Sequence, residues 1–161
     1  MNGDNQSSKE TLRAQVRERL RALTLDDRAL RSRVICERVA ELPVWKTARV
    51  VALFEPMKSE PQITTLIEEL RRRGSEIIII LPSGRERRDL PIVSPVDLVL
   101  VPGLAFTRDG GRLGRGGGFF DRFLGHRTPR AAKIGVCFNF QIVPSLPLEA
   151  HDVKVGVVVS D

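Results

Sequence analysis

The chain has 161 residues, 42% of them hydrophobic, and a formal net charge of +6. This is enough apolar content for one domain with a real core, and it excludes a disordered chain. The longest apolar run, IIIILP (77–82), is too short to span a membrane, and MNGDNQSSKE at the start has no signal-peptide apolar stretch, so the expected setting is the cytoplasm.

Residues 1–7 read as a frayed polar tail. Ser7 and Glu10 then make an S-x-x-E capping pattern before a first helix. Leu12, Val16, Leu20 and Leu23 recur on one face of it, and Arg13, Arg17, Arg19 and Arg21 are expected away from that stripe. Thr24 and Asp27 repeat the start signal and predict a second helix from Leu25 to about Glu41, ended by Pro43. ARVVALF (48–54) predicts a buried strand and PQITTLIEELRRRG (61–74) a helix. EIIIILP (76–82), VDLVLVPG (96–103), AAKIGVCF (131–138) and VKVGVVVS (153–160) predict further strands, with GGFFDRFLG (117–125) a short helix between them. Apolar strands separated by helices give an α/β fold: a three-layer sandwich with a mostly parallel sheet flanked by helices and an N-terminal helical pair. Ligands in such sheets bind beyond the carboxyl ends of the strands. One connection, 83–96, is short, holds two prolines and shows no helical period, so it is barely long enough for a parallel crossover. An irregular loop to a non-adjacent strand is the other expectation.

The basic balance points to anionic partners, with nucleic acid, nucleotides and polycarboxylates all open. Cys36 and Cys137 have neither metal-type spacing nor a disulfide framework and read as buried thiols. The chemistry concentrates in DGGRLGRGGGFFDR (109–122). This is no Walker A loop, since no Lys-Ser or Lys-Thr follows the glycines, and LAFTRDG separates it from its strand, unlike a dinucleotide fingerprint. Consecutive glycines can still curl their N–H groups into an anion nest, with a helix starting at the loop adding its positive end. Arg112, Arg115 and Arg122 can supply paired donors to phosphate, and Asp121 can hold magnesium.

VPGLAFTRDGGRLGRGGGFFDRFL (101–124) resembles the signature of the 5-formyltetrahydrofolate cyclo-ligase family. KETLRAQVRERLRAL (9–23), ALFEPMKSEPQITTLIEELRRRG (52–74) and FNFQIVPSLPLEAHDVKVGVVVSD (138–161) match the same family in order, so the resemblance covers nearly the whole chain. It implies closure of a formamide onto a neighbouring amine, driven by ATP with Mg2+, to give a methenyl bridge. It implies ATP contacts from Lys9, Glu10, Thr11, Leu12 and Arg13 on the first helix. The loop is implied to add Arg112, Leu113, Gly114, Arg115, Gly116, Gly117, Gly118, Phe119 and Phe120. Glu55 and Glu60, with Arg115, Gly116, Gly117, Gly118 and Phe119, are implied for the folate substrate, and Asp121 and Asp152 for the metal. Lys9 and Arg115 are the implied catalytic residues. The implied partners are ATP and a small-molecule folate rather than nucleic acid or a membrane, and the implied state is a monomer, with a homodimer as the alternative.

Three departures accompany the match. Phe119 and Phe120 stand where a tyrosine pair is common, and Gly156 stands where an aspartate is common. Relatives of the resembled family carry a longer insert at 83–96, with another strand and a G-I-x-E-P-like segment that walls the folate pocket. The short connection here therefore leads to the expectation that ATP binds normally and 5-formyltetrahydrofolate binds poorly. A non-catalytic relative that binds nucleotide or polyphosphate is the alternative.

Overall fold

The computed structural model describes residues 2–88 and 94–161. The two long helices α1 (Asn2–Ala22) and α2 (Leu25–Glu41) come first, followed by a short α3 (Pro43–Thr47). The α2 boundaries follow the local chemistry. Thr24 caps its start by accepting from the Asp27 N–H at 3.1 Å, and Pro43 lacks the N–H needed to continue beyond Leu42. Helix α1 begins at Asn2 and not after Ser7, so residues 2–7 are its first turns and no tail. Ser7 sits inside the helix, where its carbonyl accepts from Thr11 Oγ1 at 3.0 Å.

The remaining elements are β1 (Val50–Phe54), α4 (Thr64–Arg72), β2 (Glu76–Ile80), β3 (Glu86–Arg88), β4 (Leu98–Val101), β5 (Ala105–Phe106), β6 (Arg112–Leu113), α5 (Phe119–Arg122), β7 (Ala132–Cys137) and β8 (Val157–Ser160). Six strands form one sheet in the order β3-β2-β1-β4-β7-β8, parallel except for the edge strand β3. The chain steps from β1 outward to β2 and then returns to the other side of β1 with β4, which places a switch of direction between β1 and β4. The connection at 83–96 carries no crossover helix among its described residues. It turns at Gly84 into antiparallel β3, pairing Ile80 with Glu86, and returns to a non-adjacent strand. The stretch 89–93, where part of the expected family insert would fall, lies outside the described residues.

Alternation along the strands divides the core between the two faces of the sheet. Val51 and Leu53 pack with the helices α1, α2 and α4, through Val16, Leu20, Ile35, Val39, Leu66 and Leu70. Ala52, Ile78 and Val99 pack on the other face with Phe106, Phe123 and Leu124. This is the three-layer α/β arrangement predicted from the apolar runs. The helix after the glycine run is shorter than expected. α5 has four residues and passes at once into a five-residue π-helical turn (Phe123–Arg127), so it contributes little dipole. No helix among the described residues is long and apolar enough to cross a membrane.

Candidate active site

A cleft of about 470 Å³ opens at the carboxyl ends of β1, β2 and β4, beside the switch point. Its floor is Phe54 and Glu55 after β1, Ile80 to Gly84 after β2, and Pro102 and Gly103 after β4. The N-terminal half of α1 forms one side. Lys9 and Arg13 continue the buried face of Val16 and Leu20, so Arg13 lies on the inward stripe, contrary to the expectation from the sequence that it lies away from it. Lys9, Arg13 and Arg112 are only 7%, 7% and 6% exposed. Cations are seldom buried to this degree unless they are paired or used.

Two of these cations are held by distant parts of the chain, and the third by the short helix that follows its loop. Lys9 Nζ lies 3.3 Å from Asp152 Oδ2 and 3.4 Å from Glu149 Oε2. Arg13 Nε donates to the Gly114 carbonyl at 3.0 Å, and its other arm pairs with Glu10. Arg112 Nη2 lies 3.0 Å from Asp121 Oδ1, which also accepts from the Val153 N–H at 3.1 Å. Burial lowers the Arg112 pKa from its ordinary value, and Asp121 and then Asp152 oppose that shift. The guanidinium stays charged, because its ordinary value lies so far above neutrality. Arg112 Nε is buried without a partner, and the ring of Phe120 lies 5.8 Å from its guanidinium carbon.

The loop 114–118 arches over this wall. Gly116 and Gly118 have φ of 115° and 65°, which side-chain-bearing residues rarely adopt, so the arch requires glycine there. Arg122 Nη1 secures it by donating to the Gly117 carbonyl at 3.0 Å. Arg115 reaches across the cleft to Glu60 Oε1 at 3.3 Å and Ser59 Oγ at 3.1 Å. Glu60 is 7% exposed, and its other oxygen accepts from the Met57 N–H at 2.9 Å. The opposite wall includes Phe119, which packs edge-on to Phe120 at 5.3 Å and stacks on Phe123 at 5.8 Å. Gly84 has φ 80°, and a Cβ there would lie 3.1 Å from the Phe119 ring. The short connection thus supplies a wall of its own.

Most sequence-named residues meet in this cleft: Lys9, Arg13, Glu55, Glu60, the run 112–121 and Asp152. Glu10, Thr11 and Leu12 do not line it. Glu10 pairs with Arg13, Thr11 turns back to Ser7, and Leu12 packs on the core. Sequence reasoning missed Gln6, Met57, Pro82, Ser83, Glu149 and His151, which also line the cleft. The strand-end rule could have found Pro82 and Ser83. Glu149 and His151 precede Asp152 in EAHD, and one ligand atom from each of the three lies within 4.8 Å of the others. Asp121 faces the same cleft from its place on Arg112.

The family model for the 5-formyltetrahydrofolate cyclo-ligase family matches residues 5–95 and 80–161 of this sequence. The chain belongs to this family. A 5-formyltetrahydrofolate cyclo-ligase from Mus musculus is 28% identical over 188 residues, covering 94% of this chain and 93% of that protein. The solved structure of a 5,10-methenyltetrahydrofolate synthetase from Mycoplasma pneumoniae superposes with a TM-score of 0.80 at 26% identity, covering 95% of this chain and 98% of that one. A cyclo-ligase from the same organism aligns over only 163 residues, which take in 95% of this chain and 98% of that protein. That cyclo-ligase is therefore close to this chain in length. A cyclo-ligase can thus be about as short as this chain, and the short connection gives no reason to set this chain apart as a non-catalytic member.

Proposed function

We propose that this cyclo-ligase converts 5-formyltetrahydrofolate and ATP into 5,10-methenyltetrahydrofolate, ADP and phosphate, with magnesium. The observation that carries this reading is the concentration of three nearly buried cations, Lys9, Arg13 and Arg112, behind a glycine arch at the strand ends. A triphosphate repays the cost of burying such charge.

A formamide oxygen is a very poor leaving group. Transfer of the γ-phosphoryl group to the formyl oxygen gives an imidate phosphate. The second amine of the folate then attacks the formyl carbon, loses its proton, and phosphate leaves with that oxygen. Such chemistry asks for positioning and charge neutralisation rather than a protein nucleophile. In this reading the amides of 114–118, with Arg112 and Arg115, hold the phosphates. Lys9 reaches the transferring group from its place beside Asp152. Glu55 and Glu60 face the folate, with Phe119 as an apolar wall. The donor set suits magnesium, which takes one or two carboxylates together with phosphate oxygens. Asp121 and Asp152 would hold it, with Glu149 adjoining, and it would neutralise phosphate charge when bound.

The test uses 5-formyltetrahydrofolate labelled with heavy oxygen in the formyl group. Methenyltetrahydrofolate absorbance should rise only with ATP and magnesium, and the label should leave in the phosphate. Product formed without ATP, or label retained in water, would overturn the reading.

A further inference from the structure

Outside the cleft, one face of α2 carries polar groups at four-residue intervals: Arg28, Ser32 and Cys36. This spacing places them in a row along the helix. All three bond to the backbone of a single segment, 57–62. Arg28 Nε donates to the Glu60 carbonyl at 2.9 Å, and its Nη2 donates to the Met57 carbonyl at 3.0 Å. Ser32 is 2% exposed, and its hydroxyl accepts from the Gln62 N–H at 2.9 Å. The Cys36 thiol donates to the Gln62 carbonyl at 3.3 Å.

That segment is the mount for Glu60. The Glu60 N–H donates to the Met57 carbonyl at 3.0 Å, and the Glu60 carboxylate accepts back from the Met57 N–H. The turn is thus closed by its own residues, and Arg28 adds a second donor to the Met57 carbonyl and supplies one to the Glu60 carbonyl. Arg28 takes both with one planar fork, a geometry that fixes orientation as well as distance. Glu60 then presents its remaining oxygen to Arg115 across the cleft.

We infer that Arg28 is a positioning residue for the substrate: from outside the cleft, it sets the angle at which Glu60 meets the folate. This rests on the proposed function, in which Glu60 faces the folate. Lysine in its place offers a point charge that cannot span both carbonyls in one fixed plane. Ser32 anchors the far end of the same segment.

The test measures Kd for 5-formyltetrahydrofolate and for ATP by calorimetry, together with kcat and KM, in the full chain. Arg28→Gln should weaken folate binding roughly tenfold, the scale of one charge-assisted hydrogen bond, and leave ATP Kd within about twofold. Arg28→Lys should fall between the parent and Arg28→Gln. In a Glu60→Gln background, Arg28→Gln should add little, because its effect passes through Glu60. Unchanged folate Kd in a folded Arg28→Gln protein overturns the inference, as does full additivity with Glu60→Gln. Should Arg28→Gln fail to fold, Arg28→Lys and Ser32→Ala carry the same comparison. A parent that binds folate without turning it over contradicts the proposed function and leaves the Kd comparison decisive. A parent that binds no folate overturns both.

Discussion

The two walls of the cleft are built by different means. The α1 and glycine-loop wall is a lattice of charge. Lys9 and Arg13 each tie to an acid or carbonyl more than a hundred residues away, and Arg112 to Asp121 in α5 just past the loop. The facing wall is short strand ends, an aromatic ring and two glutamates, with Gly84 and Phe119 in close contact. In the proposed function the first wall would meet the polyanion and the second the flat ring with polar edges. The difference teaches that a triphosphate site of this kind would rest on buried cations, which many sequence positions must converge to hold. A ring site would rest on where the strands stop.

Breaking the charged wall should have the largest effect. Lys9→Ala removes the ammonium beside Asp152 and Glu149, and kcat should fall at least about 100-fold, the usual result of deleting a donor that meets developing charge. Folate Kd should stay near the parent value. Arg112→Ala should weaken ATP binding by roughly 1.5–3 kcal/mol, measured by calorimetry, because a charge-assisted contact is lost. It should also lower Tm, since Asp121 keeps only the Val153 amide. Equal ATP affinity in this variant would remove the charged wall from the account.

The facing wall should give a smaller, complementary result. Gly84→Ala places a Cβ at positive φ and 3.1 Å from the Phe119 ring. The backbone strain costs about 1–2 kcal/mol, seen as a lower denaturation midpoint. Folate affinity should fall as the ring shifts, and ATP affinity should not.

The smallest effect lies away from both walls. Burial pushes the Cys137 thiol up to about 12 and raises Cys36 as well. A raised folded-state value means that the contribution of the neutral thiol is whole below the unfolded value near 9 and is lost as pH climbs toward about 12. At pH 8 both thiols should resist a disulfide reagent in the folded protein, while guanidinium should expose both. Rapid labelling of the native protein would contradict their place in the core.

Legibility followed the range of the physics. Periodicity and capping located α2 within its observed bounds, because Thr24, Asp27 and Pro43 act on their own neighbours. Apolar runs located β1, β2, β4, β7 and β8 for the same reason. β3 was invisible, since ERR (86–88) has no strand pattern and pairs only because Gly84 turns it back along β2. The β5–β6 hairpin, with two residues on each side, carries too little pattern to read. In the site, the glycine arch and its arginines stood out in the sequence. Periodicity set Arg13 away from the apolar stripe and gave Lys9 no place on it, and only tertiary packing shows both buried. Glu149 and His151 gained meaning only once the fold brought EAHD against Lys9.

Amide chemical-shift mapping tests the division of the cleft most directly. The isotopically labelled protein is titrated with ATP and magnesium, and separately with 5-formyltetrahydrofolate. ATP should shift the amides of Lys9, Arg13 and 112–118 most, and the folate should shift 54–60, 82–84 and Phe119 most, with Arg115 and its loop neighbours responding to both. ATP shifts centred on 54–60 and 82–84, or the same response to both ligands, would contradict it.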